Sequence, residues 1–147
     1  MPSSYTCLNV HLVFSIKDRM PLIRAEWRER LYSYLGGIVK GLNAAPVAIG
    51  GVSDHVHLLV GLRATHRLDY FIRELKSSSS EWVHAELEKK FEWQKGYGAF
   101  SVSPTAMDQV KHYVLNQEAH HQRFTFKEEY SELLKLSGVE YDERYLW

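Results

Sequence analysis

Residues 47–60 leave the chain little choice of fold. Val47 to Val52 forms one strand-prone run and His55 to Val60 a second, joined only by Ser53-Asp54. So short a joint makes the pair an antiparallel hairpin, ended by Gly61. Val56, Leu58 and Val60 fall on one face of the second strand, and His55 and His57 on the other. At a rise of about 3.3 Å per residue, two such imidazoles stand about 7 Å apart and can reach one ion. Imidazole is a common ligand of divalent metals. By itself the His-x-His pattern fits an ordinary amphipathic strand equally well. Gly50-Gly51 in the first strand indicates a bulge or a close backbone approach.

Tyr5 to Ile16 alternates in the same way, with Leu8, Val10, Leu12 and Phe14 on one face and Cys7, Asn9, His11 and Val13 on the other. With both faces largely apolar, this is a central strand. His11 lies on the face that would adjoin the other histidines, and packing is its ordinary role. Residues 24–43 carry an apolar stripe of Trp27, Leu31, Tyr34, Leu35, Ile38 and Leu42 at helical spacing. Leu68 to Lys90 carries a second, through Phe71, Ile72, Leu75, Trp82, Val83 and Leu87. Ala99 to Val102 forms a fourth strand, entered through Gly96-Tyr97-Gly98. Ser103-Pro104 then opens a helix over 104–121, with Ser103 as its cap. Tyr113 and Gln117 would project from one face of it. Lys127 to Leu136 is a short helix with Tyr130, Leu133 and Leu134 as its apolar face, and the tail Tyr141 to Trp147 docks on the body.

The order β-α-β-β-α-β is the ferredoxin-like or RRM-like split unit, an α+β fold with a four-stranded antiparallel sheet and two helices on one face. His55 and His57 point to the other face, where the Tyr113 helix can lie. At 147 residues the chain fits one domain, 1–147, of which about 124–147 is a terminal helix and tail. With zero formal net charge, a nucleic-acid partner must be held by a local patch. Arg63, Arg67, Arg73 and Lys76, with Lys17 and Arg19, are the candidates. The single Cys7 forms no internal disulfide and suits a reducing cytoplasm. No apolar run is long enough for a membrane span, and the N-terminus has no signal-peptide pattern.

His55-Val56-His57, the run Trp93 to Ser101, and Tyr113-Val114-Leu115-Asn116-Gln117 together resemble the single-tyrosine transposases of the IS200/IS605 type. These are HUH endonucleases, and the REP-associated tyrosine transposases share their core. The resemblance runs from the first strand to about residue 134. It implies an enzyme that cleaves and rejoins single-stranded DNA through a 5′-phosphotyrosine. It implies Tyr113 as the nucleophile, His55, His57 and Gln117 as ligands of Mg²⁺ or Mn²⁺, and hairpin-bearing element ends as partners. It also implies a homodimer in which the tyrosine helix of one subunit serves the histidines of the other.

Tyr97 is the rival nucleophile, and its flanking glycines suit a turn better. His120 and His121 are alternative ligands or DNA contacts. An RRM-type module would need sheet aromatics where His55 and His57 stand. A histidine-triad hydrolase would need a third alternating histidine, and position 59 is Leu. A two-histidine phosphoesterase would need a second His-x-Ser/Thr motif. The alternative is a domesticated, non-catalytic protein of the same fold that binds DNA or RNA hairpins.

Overall fold

A computed structural model describes residues 3–145. The sheet is built from β1 (Leu8–Ser15), β2 (Ala45–Gly51), β3 (His55–Leu62) and β4 (Gly98–Val102). Helices α1 (Arg28–Gly41) and α2 (Leu68–Glu86) are inserted between strands, and α3 (Met107–Leu115), α4 (Gln117–His121) and α5 (Phe126–Leu136) follow the last. The strand order is β2-β3-β1-β4 and every pairing is antiparallel. This is the split β-α-β-β-α-β arrangement, with the two longest strands in the centre.

The alternation of β1 and β3 sorts the side chains into two layers. Leu12, Phe14, Val56, Leu58 and Val60 pack with Leu31, Leu35 and Val39 of α1 and Phe71, Ile72 and Leu75 of α2. Each such burial contributes about 1.5–3 kcal/mol. On the opposite face Ala48 and Leu59 pack under Val114 of α3, and Val13 and Phe100 pack under Phe126 and Leu134 of α5. The histidines of β3 therefore lie beneath α3, α4 and α5.

Two glycines let these helices approach. A Cβ on Gly50 would stand 2.1 Å from the carbonyl oxygen of Val114, so the close approach expected at Gly50-Gly51 is where α3 meets β2. A Cβ on Gly98 would stand 2.7 Å from the Tyr130 ring of α5. The bulge lies elsewhere, between Pro46 and Ala48, where proline has no N–H for the ladder.

The boundaries depart from the sequence reading in several places. β1 begins at Leu8, leaving Tyr5 exposed. α1 begins at Arg28, with residues 24–27 forming a turn that places Trp27 in the core. α2 stops at Glu86, closed by Leu87 and Glu88 N–H groups on the Val83 carbonyl. The helix expected over 104–121 is a 3₁₀ turn, α3 and α4, broken at Asn116 (φ −110°, ψ 33°). Asn116 Nδ2 donates to the His112 carbonyl at 2.7 Å, a local side-chain bond that competes with helical pairing. Ser103 makes no capping bond, its hydroxyl pairing with that of Thr105 instead. α5 has the stronger start, a reciprocal capping box between Thr125 and Glu128. In the tail, Tyr141 packs on the Val13–Phe100–Phe126 cluster, while Leu146 and Trp147 lie outside the described residues.

Candidate active site

The site is a set of imidazoles gathered round one carboxylate. Nε2 of His55, His57 and His121 stand 3.2, 2.9 and 3.1 Å from Oε1 of Glu129. The four candidate ligand atoms all lie within 4.8 Å of one another. β3 presents the first two rings, the end of α4 the third, and α5 the carboxylate. His55, His57 and Glu129 are buried.

The far side of each ring decides which nitrogen carries its proton. His55 Nδ1 is 2.7 Å from Asp54 Oδ1, and His121 Nδ1 is 2.8 Å from the Phe124 carbonyl. Both partners only accept, so both Nδ1 atoms donate, and a neutral ring then turns a bare Nε2 lone pair inward. His57 Nδ1 is 2.8 Å from Nε2 of His11, which is buried on β1. Lone pairs and a carboxylate oxygen thus converge on one point, an arrangement that calls for positive charge between them. His55 Nε2 is buried with no hydrogen bond of its own. The donor set fits a divalent cation, with Asp54, the Phe124 carbonyl and His11 orienting the imidazoles from behind.

Tyr113 lies against this cluster within the same chain. Its hydroxyl donates to Oε2 of Glu129, and its ring meets those of His57 and His11 edge-on at 5.6 and 5.9 Å. Gln117 is buried across the helix break, its Nε2 donating to the Tyr113 carbonyl and its Oε1 3.0 Å from His121 Nε2. His120 Nε2 stands 3.2 Å from Glu129 Oε2. Tyr97 makes none of these contacts and lies in a half-exposed turn.

The electrostatics follow from burial set against this one negative charge. Burial pulls His57 down to about 4 and, with repulsion from His57, His11 down to about 3. Burial also opposes a charged His55, but the bond to Asp54 and the facing Glu129 carboxylate outweigh it and raise its pKa. For Glu129 burial favours the neutral form, yet the bonds from His121, His55 and His57 hold it far below the usual carboxylate range. Burial, then the Glu129 charge, pushes the Tyr113 phenol up.

A family model described as "Transposase IS200 like" matches residues 4–117. The chain belongs to that family. Among solved structures, a candidate transposase from Deinococcus radiodurans R1 is 24% identical with a TM-score of 0.66, over 80% of this chain and 95% of that one. A REP-associated tyrosine transposase, solved bound to a REP hairpin, is 16% identical with a TM-score of 0.54, over 78% of this chain and 67% of that one. At such identities the likeness is one of fold. No curated protein matches.

In this IS200-like chain, the expected site residues His55, His57, Tyr113 and Gln117 come together. Glu129 was not legible as a site residue, although a signal was present. It lies in the stripe Phe126, Tyr130, Leu133 and Leu134, where a charge is out of place. The basic candidates are dispersed. Arg19 lines a hollow of ≈ 460 Å³ with Asp54 and His121. Lys17 pairs with Glu92 at 3.6 Å, and Arg67 with Asp69 at 2.9 Å. Arg63 lines a hollow with Lys40 at the far end of β3, while Arg73 and Lys76 lie along α2 beside residues 94–97. No helix among the described residues is long and apolar enough to cross a membrane.

Proposed function

We propose that the chain is a transposase that cleaves and rejoins single-stranded DNA through a tyrosine, as one domain, with Tyr113 as nucleophile and His55, His57, His121 and Glu129 holding Mg²⁺ or Mn²⁺. The observation that carries this reading is the contact of the Tyr113 hydroxyl with the carboxylate that faces three imidazole nitrogens. A divalent cation bound there would supply positive charge against the phosphodiester and the incoming oxygen. Gln117, packed between Tyr113 and His121, either joins the ligand set or holds both neighbours in place.

The chain's own groups account for the rest. α3 and Gly50 fix the Tyr113 ring beside His57. The Tyr113 proton points to Glu129 Oε2, its nearest acceptor. Attack forms a bond from the phenolic oxygen to phosphorus and breaks the bond from phosphorus to the 3′-oxygen, which leaves and takes up a proton. A phenol is a good enough leaving group for a DNA 3′-hydroxyl to reverse the step, so no external energy source is needed. Arg19 lines a hollow with His121 and would meet a backbone phosphate there, with Lys17 nearby in sequence. A hairpin-bearing strand as substrate, a cytoplasmic setting and a homodimer complete the proposal; because Tyr113 meets Glu129 of its own chain, an exchange of tyrosine helices would have to rebuild that contact across the dimer. The hairpin bound by the structurally similar REP-associated protein supports the first of these.

The test is a cleavage assay with Mn²⁺ or Mg²⁺ on single strands from the flanks of the encoding gene, beside Tyr113→Phe. A covalent adduct on Tyr113, absent from the variant and without metal, is the expected result. Cleavage that survives in the variant would remove Tyr113 as nucleophile. Binding without cleavage would favour the domesticated hairpin-binding protein.

A further inference from the structure

The edge of β1 opens beside the histidine cluster. β4 pairs with β1 only from Asn9 to Val13. Past that point the edge is met by residues 92–94, through Gln94 N–H on the Ser15 carbonyl and Lys17 N–H on the Glu92 carbonyl, both at 2.8 Å. Gly96, at φ +85°, then turns the chain into β4. Residues 94–97 line two hollows, one on each side of the turn. The smaller, of ≈ 170 Å³, lies between the turn and α5 and is lined by Val13, Ser15 and Phe126. Val13 is the cross-strand partner of His57, and Phe126 stacks on the His55 ring at 4.1 Å. The larger, of ≈ 440 Å³, lies between the turn and α2. The two hollows flank the turn and the smaller adjoins the histidine cluster, so a strand laid over the turn from one to the other would follow a track round the sheet edge.

The lining of the larger hollow sets one exposed ring, Tyr97, among the cations Arg73, Lys76 and Lys95. Tyr97 is 41% exposed. The Arg73 guanidinium lies over the Tyr70 ring at 5.2 Å. Lys95 is exposed and has no ion pair among the described residues. Lys76 is taken up internally: its ammonium donates to the Gln94 carbonyl at 2.7 Å and to the Gly96 carbonyl, bracing the turn. Two acids share the hollow, but Asp69 is paired with Arg67 and Glu92 with Lys17. Arg73 and Lys95 remain beside the presented ring of Tyr97. Such a lining suits single-stranded nucleic acid, whose bases stack on rings while its phosphates meet cations. It offers nothing to a duplex, whose bases are already stacked.

We infer that this track binds single-stranded DNA flanking the cleaved phosphate, with Tyr97 as a base platform and Lys95 and Arg73 on its backbone. The inference rests on the transposase reading for the position of the cleaved phosphate, and its test is separable from that reading. Fluorescence anisotropy of labelled oligothymidylate against salt would be measured for the full chain and for Tyr97→Ala, Tyr97→Phe, Lys95→Gln, Arg73→Gln and a distant control, Lys40→Gln. Circular dichroism would check that each is folded. Tyr97→Ala should weaken binding roughly five- to hundredfold and Tyr97→Phe should restore it. Lys95→Gln and Arg73→Gln should each flatten the salt slope by about 0.7, and Lys40→Gln should leave it unchanged. If these variants bind like wild type while wild type binds and forms the Tyr113 adduct, the track is refuted and the catalytic reading stands. If they lose binding as expected while no strand yields an adduct, the track stands and the catalytic reading fails. Wild-type protein that does not bind the probe overturns the inference outright.

Discussion

Tyr113 and Glu129 are joined by a hydrogen bond: the phenol donates to Oε2, and Oε1 of the same carboxylate faces Nε2 of His55, His57 and His121. One buried side chain thereby ties the tyrosine helix to the histidine strand. Burial, and then the charge of this carboxylate, disfavour a phenolate at Tyr113. Positive charge at the centre of the cluster would work against that preference, which would couple cation binding to the acidity of the Tyr113 phenol.

Glu129→Gln should therefore lower Mn²⁺ affinity by more than tenfold in calorimetry. Gln117→Ala should have a smaller effect, because the Gln117 amide, 3.0 Å from His121 Nε2, is neutral and offers a cation no opposing charge. The reverse ranking would return Gln117 to the place of third ligand.

Asp54 orients His55 without touching the centre. Asp54→Asn replaces an acceptor-only group with one that can present either end, loosening both the tautomer and the ring. Metal affinity should fall roughly 10- to 100-fold, with melting temperature nearly unchanged. Equal affinity in the two proteins would exclude this orienting role.

Gly50→Ala sets a methyl against the Val114 carbonyl, which belongs to helix backbone and yields only if α3 shifts. A cost of about 1–3 kcal/mol is expected for such overpacking, seen as a fall of several degrees in melting temperature. Adduct formation should fall further than stability does, since the shift carries Tyr113 with it.

Thr125→Ala removes the capping box that starts α5. It should cost about 1 kcal/mol. Because α5 holds Glu129 in place, Mn²⁺ affinity should decline as well, whereas substitution of exposed Lys135 at the other end of α5 should leave affinity unchanged.

Chelator-treated protein should lose stability as pH falls from about 6.5 toward 4. His11 and His57 are held down to about 3 and about 4, so over that window the unfolded chain binds protons that the folded one does not. Glu129, held below the carboxylate range, acts in the same direction below its ordinary pKa of about 4.3. His55 opposes them, since its raised pKa adds stability below about 6.5 that is lost as pH rises. Two histidines and a carboxylate outweigh one histidine. Thermal melts across this range check the sign, and His11→Asn should flatten the slope.

Period-two alternation in β1 and β3, a two-residue hairpin joint and two helical stripes were enough to derive the sheet and the face on which His55 and His57 stand. These are local patterns, and a strand that buries Val56, Leu58 and Val60 must turn its histidines the other way. The break at Asn116, the pairing of His11 with His57 and the arrival of Glu129 are not local. A glutamate in a helix has the same spacing whether it meets water or three imidazoles, and only the docking of α5 over the sheet, through Gly98 and Phe126, decides which. The strand could present its two rings by alternation alone; the buried negative charge between them had to come from a helix 72 residues further along the chain.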